Sequence, residues 1–121
     1  MDRELTEWIQ DSFRSVWSVE ILLALHGEAG RAWGPEELIA ELRSSEAVVG
    51  RALEDLLAAG MILIAEGGAV RYRPDSADQD RLTRLLAEAY RVKPGAVRRL
   101  IVQGSDEKLR NFSEAFRIIK D

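Results

Sequence analysis

Gly34-Pro35-Glu36-Glu37-Leu38-Ile39-Ala40-Glu41-Leu42, then Ser45 to Leu57, then Ala58-Ala59-Gly60-Met61-Ile62 is the stretch whose reading decides the architecture. Pro35 suits the first turn of a helix, where its missing N–H would have had no partner. Glu36 and Glu37 put negative charge at the positive end of the helix dipole. Leu38, Ile39 and Leu42 give this brief helix a buried side. It ends around Arg43-Ser44, and Ser45 is an N-cap for a further helix, Glu46 to Ala59, with Val49, Ala52 (or Leu53), Leu56 and Leu57 inward. Gly60 stops that helix. Met61 to Ala65 is an apolar run of strand length, and Glu66-Gly67-Gly68-Ala69 is a turn. Val70 and Tyr72 then alternate with Arg71 and Arg73 up to Pro74, so the two runs predict a β-hairpin.

Upstream, roughly Leu5 to His26 reads as one helix. Leu5, Trp8, Ile9, Ser12, Val16, Val19 and Leu23 follow the spacing of one buried side, and Phe13 and Trp17 add a second apolar edge. Gly27 and Gly30 end it, and Arg31-Ala32-Trp33-Gly34 is a short extended segment. Downstream, Ser76 and Gln79 have the spacing of a capping box, opening a helix with Leu82, Leu85, Leu86 and Ala89 inward. Pro94 starts a short helix carrying Val97, Leu100 and Ile101. Gly104 is expected to end it and Ser105 to cap a last one. There Leu109, Phe112, Phe116 and Ile119 form a narrow seam of the kind helices use against each other.

With 121 residues, 46% of them hydrophobic and 31% charged, the chain has room for one globular unit with a core of its own. It has no cysteine, which excludes disulfides and thiolate metal sites. Its longest apolar runs, Ile21 to Leu25 and Met61 to Ala65, are far too short to cross a bilayer, so no membrane role is expected. Met1-Asp2-Arg3-Glu4 has the wrong character for a signal peptide, and the cytoplasm is the expected address. The formal charge is −4. Residues 1–74 carry 13 acidic and 7 basic side chains, a balance of −6, whereas residues 75–121 carry 8 and 10, a balance of +2.

The order of helix, short helix, turn, helix and hairpin in residues 15–75 resembles the winged helix-turn-helix of bacterial transcriptional regulators of the MarR and ArsR type. The resemblance implies a mainly α, α+β fold, with a winged helix-turn-helix domain over residues 1–75. Residues 76–121, beyond the resemblance, read from their own pattern as a three-helix extension for dimerisation or partner binding, packed on the same unit. The resemblance also implies that the helix of about residues 45–59 reads the major groove of double-stranded DNA and that the hairpin, about 61–74, is a wing. Carried over by position, Ser44, Ser45, Ala47, Gly50 and Arg51 face the groove, with Arg43 at its edge and Arg71 and Arg73 on the wing. Arginine suits these places because its fork can pair two acceptors on guanine or phosphate. The departure from the pattern is acidic: Glu46, Glu54 and Asp55 against Arg51 leave the reading helix at −2. A protein-binding adaptor on the same scaffold is therefore the alternative.

Simpler readings compete at several positions. Arg71 and Arg73 could only be keeping a sheet edge solvated. The basic run of Arg91, Lys93, Arg98 and Arg99 reads first as a solvated helix side. Trp8, Trp17 and Trp33 read as core rather than as a platform for bases. Leu109, Phe112, Phe116 and Ile119 could close within the monomer, or, being terminal, amphipathic and aromatic, bury against a second copy as the contacts of a homodimer. The single histidine, His26, stands near a helix end with no metal-ligand spacing around it, and helix capping explains it. Glu36-Glu37 diverge by about 100° on a helix and make no catalytic dyad, and Gly67-Gly68 lacks the lysine of a phosphate loop. No catalytic residue, metal ligand or cofactor is expected.

Overall fold

The computed structural model describes residues 1–105. Their elements, in order, are α1 (Arg3–Ser12), α2 (Val16–Gly27), α3 (Pro35–Leu42), α4 (Glu46–Ala58), β1 (Ile62–Ile64), β2 (Val70–Tyr72) and α5 (Ala77–Val92). A sixth helix, α6, occupies residues 94–105, up to the last described residue. The protein is thus mostly helical, with a small antiparallel sheet. Ile62 pairs with Tyr72, Leu63 with Arg71 and Ile64 with Val70. Trp33, in the short extended segment before Pro35, adds an isolated bridge to the sheet: its N–H and carbonyl each bond Val70 at 2.7 Å.

The expected single helix from Leu5 to His26 is two. Ser15 has extended backbone and its Oγ accepts from the Ser18 N–H at 3.3 Å, which starts α2 afresh. Phe13 closes α1 in an extended conformation and is fully buried. The elbow turns Phe13 into the core, with its ring edge-on to Trp8 at 5.3 Å. Continuous apolar spacing across 5–23 conceals the break. Helix α2 is apolar on most of its circumference, so a three-and-four pattern can be threaded through it although its buried Leu22 and Leu25 are out of phase with Leu5 and Ile9 of α1.

The core gathers Leu5, Ile9 and Phe13 with Ile21, Leu22 and Leu25 of α2, Leu38 of α3, and Val49, Leu53 and Leu56 of α4. Val70 and Tyr72 of the sheet, Leu82 and Leu86 of α5, and Val97 and Ile101 of α6 complete it. Two leucines expected there lie outside. Leu57 is 48% exposed and Leu85 39% exposed. Each sits about 100° round its helix from a leucine, Leu56 or Leu86, that already fills the inward position.

Gly60 ends α4 with φ 74°, a conformation that glycine adopts without penalty. Arg43 caps α3 at φ 51°, the one non-glycine residue with positive φ among those described. Ser76 caps α5 as expected, accepting from the Gln79 N–H at 3.0 Å. The Gln79 side chain does not return to close the box, however. It donates to the Ala59 carbonyl at 2.9 Å and so ties the start of α5 to the end of α4. Gly104 neither stops a helix nor precedes a cap at Ser105, because both residues lie within α6. The glycine serves a close approach instead: a Cβ there would come 3.0 Å from the Gln10 carbonyl oxygen on α1.

Candidate nucleic-acid interface

The turn between α3 and α4 is built by its own backbone. The Ser44 N–H bonds the Ile39 carbonyl at 3.1 Å, and the Ser45 Oγ accepts from the Val48 N–H at 3.2 Å. This exposes Arg43 and Ser45 at the head of α4, with Ser44 half-buried. Along α4, Ala47 and Arg51 are exposed and Gly50 is half-buried with open space above its Cα, while Val49, Ala52 and Leu56 point into the core. The residues singled out on this helix therefore share its outward side.

On the hairpin, Val70 and Tyr72 are buried and Arg71 and Arg73 are exposed, as the alternation requires. The Tyr72 ring lies edge-on to His26, centroids 5.1 Å apart, and its hydroxyl donates to Asp80 Oδ1 at 2.6 Å. His26, expected as a helix cap, thus makes an aromatic contact that supports the return strand. Burial, and then the bond to Asp80, push the Tyr72 hydroxyl up to about 12. Strand β2 is held by its inner face while its outer face presents two guanidinium groups.

The ion pairs sort the arginines. Arg3, Arg31, Arg81, Arg84 and Arg91 are each within reach of a carboxylate, namely Glu7, Glu28 and Glu37, Glu4 and Asp78, Asp80, and Glu88 respectively. Arg31 also stacks on the Trp33 ring, 3.6 Å from its centroid. Glu37 holds Arg31 while accepting the Gly34 N–H at 3.0 Å, and these bonds lower its carboxyl. By contrast, Arg43, Arg51, Arg71 and Arg73 have no carboxylate within 4.0 Å among the described residues. In the basic run, Arg91 is taken by Glu88 and Arg98 stands 5.5 Å from the Tyr90 ring centroid.

Sequence reasoning misses a neighbouring group. Trp33 is buried and Trp8 half-buried, but Trp17 is 38% exposed, against the expectation of core packing. It sits on the first turn of α2, which a continuous helix from Leu5 would turn inward. Trp17 and Ser15 face Ala47, Val48, Arg51 and Ala52 across a cleft of about 380 Å³. Ser15, a favoured N-cap residue type, could have revealed the elbow.

Leu109, Phe112, Phe116 and Ile119 lie outside the described residues. Among those described, no group of three or more His, Asp and Glu is placed to hold a metal ion. No helix among them is long and apolar enough to cross a membrane. Compared with protein-family models, curated proteins and solved structures, the chain matches none.

Proposed function

We propose that this protein is a DNA-binding regulator of transcription with a winged helix-turn-helix: α3 and α4 form the helix-turn-helix, α4 reads the major groove, and the β1–β2 hairpin is the wing. The observation that carries the reading is the separation of the cations. Of the seven arginines without an ion pair among the described residues, four, Arg43, Arg51, Arg71 and Arg73, are carried together on the outer surface of the turn, α4 and the hairpin, the others being Arg14, Arg98 and Arg99. A guanidinium with no internal partner keeps its full fork for phosphate or guanine. Arg43 adds support. It holds a left-handed conformation in which glycine would be easier, and such strain is better tolerated where the side chain is used.

Residues 1–74, at −6, offer little background attraction for a polyanion. The protein therefore binds as a homodimer, so that two copies of the few cations act together on a two-fold site. The seam at Leu109, Phe112, Phe116 and Ile119 is the proposed contact between copies. The test is selection of bound fragments from a genomic library, with enrichment of a common two-fold sequence expected.

A second reading, a protein-binding adaptor, is favoured by the other side chains of α4. Glu54 and the exposed Leu57 share its outer surface, an acidic and apolar combination suited to a protein groove. Absence of any enriched fragment would select this reading.

A further inference from the structure

The cleft beside α4 shares Ala47 and Arg51 with the proposed groove-reading side of that helix, but Trp17 and Ser15 on its other wall take no part in the contacts proposed above. We infer that this cleft, walled by Trp17 on α2 and by the first two turns of α4, is a further DNA-contacting element that receives the sugar–phosphate strand bordering the major groove. The inference rests on the DNA-binding reading and extends it to the α1–α2 elbow.

The geometry of the duplex supplies the first reason. The major groove is about 12 Å wide and a helix with its side chains about 10–12 Å across, so an inserted helix has a backbone strand against each flank. Whatever stands beside the first turns of α4 meets such a strand. Here that neighbour is Trp17 with Ser15.

Chemistry supplies the second. A DNA strand presents apolar deoxyribose beside anionic phosphate, and the cleft offers a mostly apolar lining with one cation and one hydroxyl. Trp17, Ala47, Val48 and Ala52 line it with apolar groups, Ser15 and Arg51 add polar ones, and no carboxylate is among the lining residues. Arg14, exposed on the elbow next to Ser15, adds a second cation with no ion pair among the described residues. The Ser15 Oγ uses a lone pair to accept from the Ser18 N–H, which leaves its own proton for a phosphate oxygen. Trp17 packs on deoxyribose, and Arg14 and Ser15 take the flanking phosphates, while Arg51 stays with the groove. Such contacts carry no base information, so they strengthen binding to all sequences alike.

The experiment compares the full-length parent with Trp17→Ala, Trp17→Phe, Arg14→Ala and the remote Leu85→Ala on one selected duplex and one unrelated duplex, across a salt series. Trp17→Ala is expected to bind both duplexes about tenfold more weakly, with Trp17→Phe and Leu85→Ala close to the parent. Arg14→Ala should lower the salt slope by about one unit. Should Trp17→Ala fail to fold by circular dichroism, the readout is iodide quenching of the parent's fluorescence. Bound DNA should then shield a component that Trp17→Phe lacks. Equal affinity of parent and Trp17→Ala, or no shielding, overturns the inference while leaving α4 and the hairpin as the DNA surface. A parent that binds neither duplex overturns both.

Discussion

Tyr72, the last residue of β2, donates its hydroxyl proton to Asp80 on the first turn of α5 at 2.6 Å, so one hydrogen bond links the hairpin to the helix that follows it. Burial and this bond push Tyr72 up to about 12, and burial with the bond to Glu20 raises Tyr90 as well. Both hydroxyls are therefore more basic in the folded protein than in the unfolded chain. A group with a raised folded pKa gives stability that is full below its unfolded value and vanishes as pH rises through the folded one. An absorbance titration of the two tyrosines at 295 nm should show much less than half ionisation at pH 10, with stability falling between about pH 10 and 12. Half ionisation at pH 10 would mean that neither hydroxyl is held as described.

Leu56 and Leu57 are adjacent but differ in burial, with 1% and 48% exposure. Leu56→Ala should cost about 2–5 kcal/mol in denaturant unfolding through reduced apolar burial and the cavity left behind. Leu57→Ala should change stability by no more than about 0.5 kcal/mol, the ordinary range for an exposed position. The reverse order would mean that α4 is rotated.

Gly104→Ala should destabilise the protein by about 1 kcal/mol, although alanine is the better helix former. The added Cβ would sit 3.0 Å from the Gln10 carbonyl oxygen and 3.2 Å from its Cα, so α1 and α6 must move apart. A gain in melting temperature would show that the two helices do not approach so closely.

Much of this architecture is legible in the sequence because local signals agree with burial. Pro35, Ser45, Gly60 and Ser76 each mark an element boundary by a mechanism confined to a few residues, and all four boundaries fall where those residues put them. The period-two alternation of Val70 to Arg73 likewise assigns the correct exposed and buried faces. The failures share a cause, since they depend on what another element does. Gly104 carries the same local signal whether it stops a helix or lets one approach a neighbour, and only Gln10 decides. Leu57 and Leu85 look like core until the arc covered by the facing elements is known. At the candidate site, Arg43, Arg51, Arg71 and Arg73 are readable as cations at suitable positions. Their lack of carboxylate partners among the described residues follows from tertiary placement that no spacing encodes, whereas the exposure of Trp17 follows from an elbow that the N-cap at Ser15 marks locally.

Replacing Phe112 and Phe116 together with alanine should lower the mass measured by light scattering towards that of a monomer, with helical signal largely kept. A parent that is monomeric at high concentration would remove the proposed dimer seam.

The most direct measurement is the salt dependence of binding for the parent, Arg51→Ala and the double variant Arg71→Ala/Arg73→Ala on a duplex recovered from the genomic library. The double variant should bind every sequence more weakly, with the salt slope reduced by about one unit for each phosphate no longer neutralised. Arg51→Ala should cost about 1–3 kcal/mol at one position of the site and relax the sequence preference there. Three superimposable isotherms, or no enriched duplex for the parent, would contradict the DNA-binding reading.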